Sequence, residues 1–161
     1  MIGFVRKLFA RAEPALSEAR ARDAAAIAAL HGRSFHRGWT EQEVEALLAD
    51  RSVITHCAAT GSALAGFIMS RRAADEAEIL SVAVGNAWRG RGIARNMLNF
   101  HLRWLAGLGT RALFLEVDEN NAPAVRLYAR AGFREVSRRP NYYPQPSGKA
   151  ATALVLRRDI T

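Results

Sequence analysis

Residues 83–95 read Ala83-Val84-Gly85-Asn86-Ala87-Trp88-Arg89-Gly90-Arg91-Gly92-Ile93-Ala94-Arg95. An apolar strand ends there, a basic turn with glycines follows, and a helix begins. Glycine lets the backbone come close to a ligand. The first amides of a helix have no acceptor within it, and the macrodipole makes that end partly positive. Such a turn suits a pyrophosphate, and Arg89, Arg91 and Arg95 bring charge for neighbouring phosphates. Two common phosphate loops are excluded. No lysine stands nearby for the GxxxxGK pattern, and Arg95 occupies the place where GxGxxG needs its third glycine. What remains is the spacing Gln/Arg-x-x-Gly-x-Gly/Ala, met by Arg89, Gly92 and Ala94. Taken alone, it also fits a basic turn that merely caps a surface helix.

Upstream of the turn, Glu78 to Val84 is apolar at most positions and reads as a central strand. Val53 to Ala59 and Leu64 to Arg71 flank Thr60-Gly61-Ser62, the pattern of a hairpin. Leu16 to Arg20 is short enough for an edge strand. Asp23 opens a helix with Ile27 and Leu30 on one face, and a loop from Gly32 to Trp39 leads to the capping box Thr40-Glu41-Gln42-Glu43. Val44, Leu47 and Leu48 form the apolar side of that second helix. Downstream, Ala94, Met97, Leu98, Leu102 and Leu105 share a face over Ile93 to Leu108, with Gly107 and Gly109 at its end. Ala112 to Val117 is a second buried strand. Asn121 caps a helix with Pro123 in its first turn, and Gly132 fits the left-handed residue that stops it. Phe133 to Arg138 and Thr152 to Arg157 are closing strands around a proline-rich, aromatic loop, Pro140 to Gly148. The alternation predicts one mixed α/β domain.

Composition narrows the class. The 161 residues suit one domain, and 50% apolar with 24% charged residues excludes disorder along the whole chain. No run reaches the ~18 apolar residues of a spanning helix. A single cysteine, Cys57, excludes intramolecular disulfides and a cysteine-rich zinc site. His31, His36, His56 and His101 show no metal-ligand spacing, so no metal is expected. The net charge is +8, and of the 23 basic residues all but Lys7 and Lys149 are arginine. A nucleic-acid module would cluster its basic residues among aromatics. Here they are spread along the chain, so no specific nucleic-acid partner is expected. Residues 1–13, with Ile2, Phe4, Val5, Leu8 and Phe9 among Arg6, Lys7 and Arg11, read as a basic amphipathic extension. Residues 14–161 form the domain proper.

The turn is followed by Phe114-Leu115-Glu116-Val117-Asp118-Glu119-Asn120-Asn121-Ala122-Pro123-Ala124-Val125-Arg126-Leu127-Tyr128 and by Ala131-Gly132-Phe133. In this order and spacing, over roughly residues 15–158, the sequence resembles the GNAT acetyltransferase superfamily, which transfers acetyl from acetyl-CoA to an amine. Trp39-Thr40-Glu41, Leu115-Glu116-Val117 and Asn141-Tyr142-Tyr143-Pro144 add a narrower likeness, to the bacterial family that acetylates the N-terminal alanine of a small-subunit ribosomal protein. The resemblance implies an α+β fold: a mixed, mostly antiparallel sheet with about four helices, whose central strands splay to hold acetyl-CoA. It implies a cytoplasmic enzyme, a monomer or weak dimer, whose partner is a protein N-terminus, with a small-molecule amine or protein lysine as the alternative acceptor.

Transfer from a thioester needs a neutral amine, a donor for the oxyanion and a proton for the leaving thiolate. An α-amine, with a pKa of about 7.7–8.0, asks for only a modest base. Glu116, interrupting an apolar strand, is the expected base, and Tyr128, on the apolar face of its helix, the expected acid. The resemblance assigns the cofactor to Val82, Ala83, Val84, Arg89, Gly90, Arg91, Gly92, Ile93, Ala94, Arg95 and Asn121, with strand amides polarising the thioester carbonyl. Trp39, Asn141, Tyr142 and Tyr143 are expected to frame the acceptor. His36-Arg37-Gly38, Pro140 and Ala150-Ala151 depart from the narrower pattern, all on the acceptor side. Cys57, inside a strand, reads as a small buried hydrophobe.

Overall fold

The computed structural model describes residues 12–143, 148 and 150–160. Along the chain run β1 (Ala15–Glu18), α1 (Ala24–Ser34), α2 (Glu41–Ala49), β2 (Val53–Thr60), β3 (Ala63–Ala73), β4 (Glu76–Val84), α3 (Ile93–Gly107), β5 (Ala112–Asp118), α4 (Ala122–Arg130), β6 (Arg134–Tyr143) and β7 (Ala151–Asp159). Most of residues 1–13, the expected extension, lies outside the described residues.

The seven strands form one sheet in the order β1-β2-β3-β4-β5-β7-β6. Every neighbouring pair is antiparallel except β4 and β5. The mixed sheet and its four α-helices are those the family resemblance implies. Strand alternation gives the sheet two apolar faces. One carries Ile68, Ile79, Leu113, Leu115, Val117, Leu154 and Leu156, packed against Ile93, Met97, Leu98 and Leu105 of α3 and Tyr128 of α4. The other carries Val53, Cys57, Phe67, Met69 and Ala83 beneath Ile27 and Leu30 of α1 and Val44 of α2. Each fully buried aliphatic side chain contributes about 1.5–3 kcal/mol.

Two irregularities shape the centre of the sheet. Met69 pairs with Ser81 but Ser70 pairs with Ile79, so Leu80 is an extra residue in β4. The bulge inverts the alternation: Ala77 and Ile79 face α3, whereas Ala83 faces α1. The second is a parting of strands. β4 and β5 pair only at Glu76–Ala112, Ala77–Leu113 and Glu78–Phe114. Beyond that point β4 stays paired to β3 as far as Val84 with Gly66, and β5 to β7 as far as Asp118 with Ala153.

Local signals in the sequence are realised closely. The Thr40 hydroxyl accepts from the Glu43 amide at 3.1 Å, and Glu43 accepts from the Thr40 amide at 2.8 Å, a box worth about 1 kcal/mol. Asn121 accepts from the Ala124 amide at 3.3 Å and caps α4. Two boundaries move. α1 runs on through Gly32 and Arg33 to Ser34, where a loop from Gly32 was expected, its last turn held by the Ser34 hydroxyl donating to the Leu30 carbonyl. The strand predicted to stop at Arg138 continues to Tyr143, absorbing Pro140, Asn141 and Tyr142. β6 is an edge strand, so a proline there costs no ladder bond. A register shift between Arg139 and Tyr143, and a left-handed Asn141 with φ 57°, accommodate the bend.

Polar groups interrupt the core beneath α3. His56 of β2 and His101 of α3 are wholly buried, their Nδ1 atoms 2.7 Å apart, and His101 Nε2 lies 2.6 Å from the buried Ser70 hydroxyl. One ring donates to the other, so the accepting ring is neutral. Burial pushes His56 down to about 4 and His101 down to about 3. Burial also pushes the Cys57 thiol up to about 12, in keeping with its reading as a small hydrophobe.

Candidate active site

The turn after β4 leaves its amides open. Gly92 is the N-cap of α3 with φ 76°, and Gly90 has φ 75°; both are left-handed conformations that favour glycine. No side chain caps α3, and a Cβ at either glycine would meet nothing within 4 Å. Open space and uncapped amides at a positive helix end make this turn a candidate anion cradle. The arginines around it differ. Arg89 folds back to donate from Nε to the Val84 carbonyl at 3.3 Å, the guanidinium of Arg91 lies 5.4 Å from the Trp88 ring, and Arg95 is exposed.

The cradle adjoins the unpaired edge of β4. Val82, Ala83 and Val84 lie past the last pair with β5, so the backbone groups that Val82 and Val84 turn to that side make no ladder bonds, while the Ala83 carbonyl faces β3. An extended ligand can add there as a strand does. Asn121 opens α4 just beyond β5, its side chain occupied in capping.

Glu116 and Tyr128 lie on opposite faces of the sheet. Leu115 and Val117, which alternate with Glu116, face α3, so Glu116 points to the face that carries α1 and α2. Tyr128 is buried on the α3 side, its ring edge-on to Phe133 at 5.5 Å. The parting of β4 and β5 lies between these two faces. Glu116 is not surrounded by apolar groups alone: Arg139 of β6 pairs with it at 3.1 Å, and the carboxylate side chain is 19% exposed. The same guanidinium lies 5.5 Å from the Tyr142 ring, gathering Glu116, Arg139 and Tyr142 into one cluster. Tyr142 is 49% exposed and Asn141 is exposed. The side chain of Tyr143 lies outside the described residues.

Trp39 packs at the end of α1, on the face of the sheet that Glu116 shares. Its ring stacks on buried His31 with centroids 3.9 Å apart and planes 8° apart. Sequence reading missed both Arg139 and His31 as members of this region. Arg139 reaches Glu116 only through the register of β6 on β7 and β7 on β5, which no local pattern spells. His31 lies eight residues from Trp39, a spacing that belongs to no repeating element. Among the described residues no group of three or more His, Cys, Asp or Glu could hold a metal. No helix among them is long and apolar enough to cross a membrane.

Comparisons with known proteins place the chain among acetyltransferases. The model of the Acetyltransferase (GNAT) family matches residues 24–133. The ribosomal protein bS18-alanine N-acetyltransferase of Haemophilus ducreyi is 33% identical over 56% of this chain and 62% of its own length. Its counterpart in Escherichia coli K12 is 31% identical over 69% of this chain and 74% of its own. The Haemophilus match thus spans less than two thirds of that relative. Among solved structures, the Escherichia coli ribosomal-protein alanine N-acetyltransferase superposes with a TM-score of 0.85 at 26% identity, covering 91% of this chain and 94% of that one. NAA60 of Arabidopsis thaliana, solved in complex with acetyl-CoA, shares the fold with a TM-score of 0.78 at 21% identity, over 91% of this chain and 98% of that one.

Proposed function

The chain belongs to the GNAT acetyltransferase family, and on that premise we propose that it transfers acetyl from acetyl-CoA to the N-terminal α-amine of a protein, namely the N-terminal alanine of a small-subunit ribosomal protein. The observation that carries the reading is the parting of β4 and β5 with an uncapped, glycine-lined helix start at its mouth. A pyrophosphate fits the amides of Ile93, Ala94 and Arg95, with Gly90, Gly92, Arg89 and Arg91 around it. A pantetheine arm fits the edge of β4 along Val82, Ala83 and Val84, where the amide of Val82 or Val84 is the donor for a developing oxyanion.

Direct attack in a ternary complex then follows. The acceptor approaches over the face holding Glu116, framed by Trp39, Asn141, Tyr142 and Tyr143. The amine nitrogen bonds to the acetyl carbon, and its proton passes to Glu116, directly or through a water. The carbon–sulfur bond breaks, and Tyr128 on the far face returns a proton to the leaving sulfur. Asn121 holds the start of α4 and so the height of Tyr128. Residues 14–161 constitute the catalytic domain in this reading, with 1–13 an extension. Its acceptor places the enzyme in the cytoplasm.

The N-terminal alanine assignment rests on the names of the bacterial relatives and on the likeness of the Trp39, Glu116 and Asn141-Tyr142-Tyr143 segments. It is tested by offering the purified protein acetyl-CoA with peptides beginning Ala-, Ser- and Met- and with an internal-lysine peptide, and reading products by mass spectrometry. Acetylation of the alanine α-amine is expected. Modification of the lysine alone, or of no peptide, overturns the assignment.

A further inference from the structure

We propose that His31 is a positioning residue for the acceptor side of the site, its neutral imidazole clamping the loop between α1 and α2 so that Trp39 is held in place. The proposal rests on the reading of Trp39 as a frame of the acceptor path. The loop is pinned at both ends. At its start, α1 closes with the Phe35 amide donating to the His31 carbonyl at 3.0 Å and the Ser34 hydroxyl donating to the Leu30 carbonyl at 2.8 Å. At its end, Thr40 enters the capping box of α2. Between them the chain doubles back so tightly that a Cβ on Gly38 would lie 2.7 Å from the Gly32 Cα.

His31 sits in the crook of this return, 5% exposed. Its ring face stacks on Trp39, and it also stacks with Phe35 at 4.5 Å and 29°. Its ring edge does separate work: the Trp39 amide donates to Nδ1 at 3.0 Å. A backbone N–H can only donate, so Nδ1 carries a lone pair and the ring is neutral. Burial holds it that way against the opposing pull of Glu43, which is also engaged with Arg37 at 3.3 Å. Phenylalanine could stack but not accept, and asparagine could accept near the Nδ1 position but not stack. Only an imidazole does both. The clamped segment presents Phe35, His36 and Arg37 to solvent, and Phe35 is 41% exposed. The loop carries no helix or strand bonds of its own, so its shape depends on these few contacts.

The test compares wild type, His31→Phe, His31→Asn and Trp39→Ala, measuring KM for an alanine-initiated peptide and for acetyl-CoA, with hydrogen exchange at the Trp39 amide. His31→Phe is expected to raise the peptide KM about tenfold, the worth of one neutral hydrogen bond, while the acetyl-CoA KM stays within twofold. The Trp39 amide should be protected in wild type, unprotected in His31→Phe and partly protected in His31→Asn, whose peptide KM should fall between the two. A merely structural role would lower the folded fraction, and so kcat, leaving both KM values alone; that result overturns the proposal. An unprotected Trp39 amide in wild type overturns it too. An unchanged peptide KM in Trp39→Ala overturns the acceptor reading beneath it. A raised KM there with an unchanged one in His31→Phe overturns the clamp itself.

Discussion

Lowering the pH from 7 to 5 should destabilise the folded protein by about 3 kcal/mol through His56 and His101 alone. The free imidazole titrates at 6.5, and the buried rings at about 4 and about 3. At pH 5 the unfolded chain therefore protonates both, while the folded chain keeps both neutral. The unfolded state binds the extra protons, so stability is whole above pH 6.5 and is lost as the pH falls below it. At about 1.4 kcal/mol per pH unit, each ring costs about 2 kcal/mol over that interval. Residual structure in the unfolded chain, which keeps part of this burial, brings the pair to about 3 kcal/mol. The contact cannot adapt, because a proton added to the accepting Nδ1 sets N–H against N–H across 2.7 Å. Urea unfolding at both pH values checks this, with His56→Leu/His101→Met as the comparison. The chain's carboxylates titrate in both proteins and cancel in the difference. Wild type should lose about 3 kcal/mol more than the double variant, whatever the absolute stability of either. Equal losses would refute the reasoning, as would an NMR titration placing either ring near 6.5.

Glu116→Gln and Tyr128→Phe should each lower kcat by about 100-fold, the usual worth of a general acid or base, with CoA affinity by calorimetry nearly intact. Gly92→Ala should weaken CoA binding in the same assay and cost about 1–2 kcal/mol in unfolding, because an L-residue is strained at φ 76°. Gly66→Ala should cost about 1–3 kcal/mol by overpacking: its Cβ would lie 2.8 Å from the Ala83 carbonyl and 2.9 Å from Met97 Cε, and only the methionine can yield. A Gly66→Ala midpoint in urea equal to wild type would show that β3 shifts freely there.

Most of the architecture could be read locally because its signals are local. The Thr40 box, the Asn121 cap, the hairpin at Gly61 and the stop at Gly132 each involve residues no more than a few positions apart. The phosphate turn was legible for the same reason, since an open helix start and its glycines are consecutive in sequence. What residue patterns alone did not mark depends on pairing. The parting of β4 and β5 was expected from the family resemblance, but where that parallel ladder stops was not, since neither strand's composition marks Glu78 as the last pair. The bulge at Leu80 left no sign beyond an apolar run that fits either face. Arg139 beside Glu116 needs two strand registers in succession. β6 overran its predicted end because the proline-rich stretch from Pro140 reads as a loop, whereas an edge strand tolerates proline.

Glu116 and Tyr128 project to opposite sides of the sheet, so a ligand reaching both must pass through the gap between β4 and β5. That arrangement has a kinetic consequence. Two substrates that enter from opposite sides do not obstruct one another, and neither product must depart before the second substrate arrives. Double-reciprocal plots against peptide and acetyl-CoA should therefore intersect rather than run parallel. With Cys57 buried and its thiol held protonated, the chain's single sulfhydryl offers no stopping place for the acetyl group on the way.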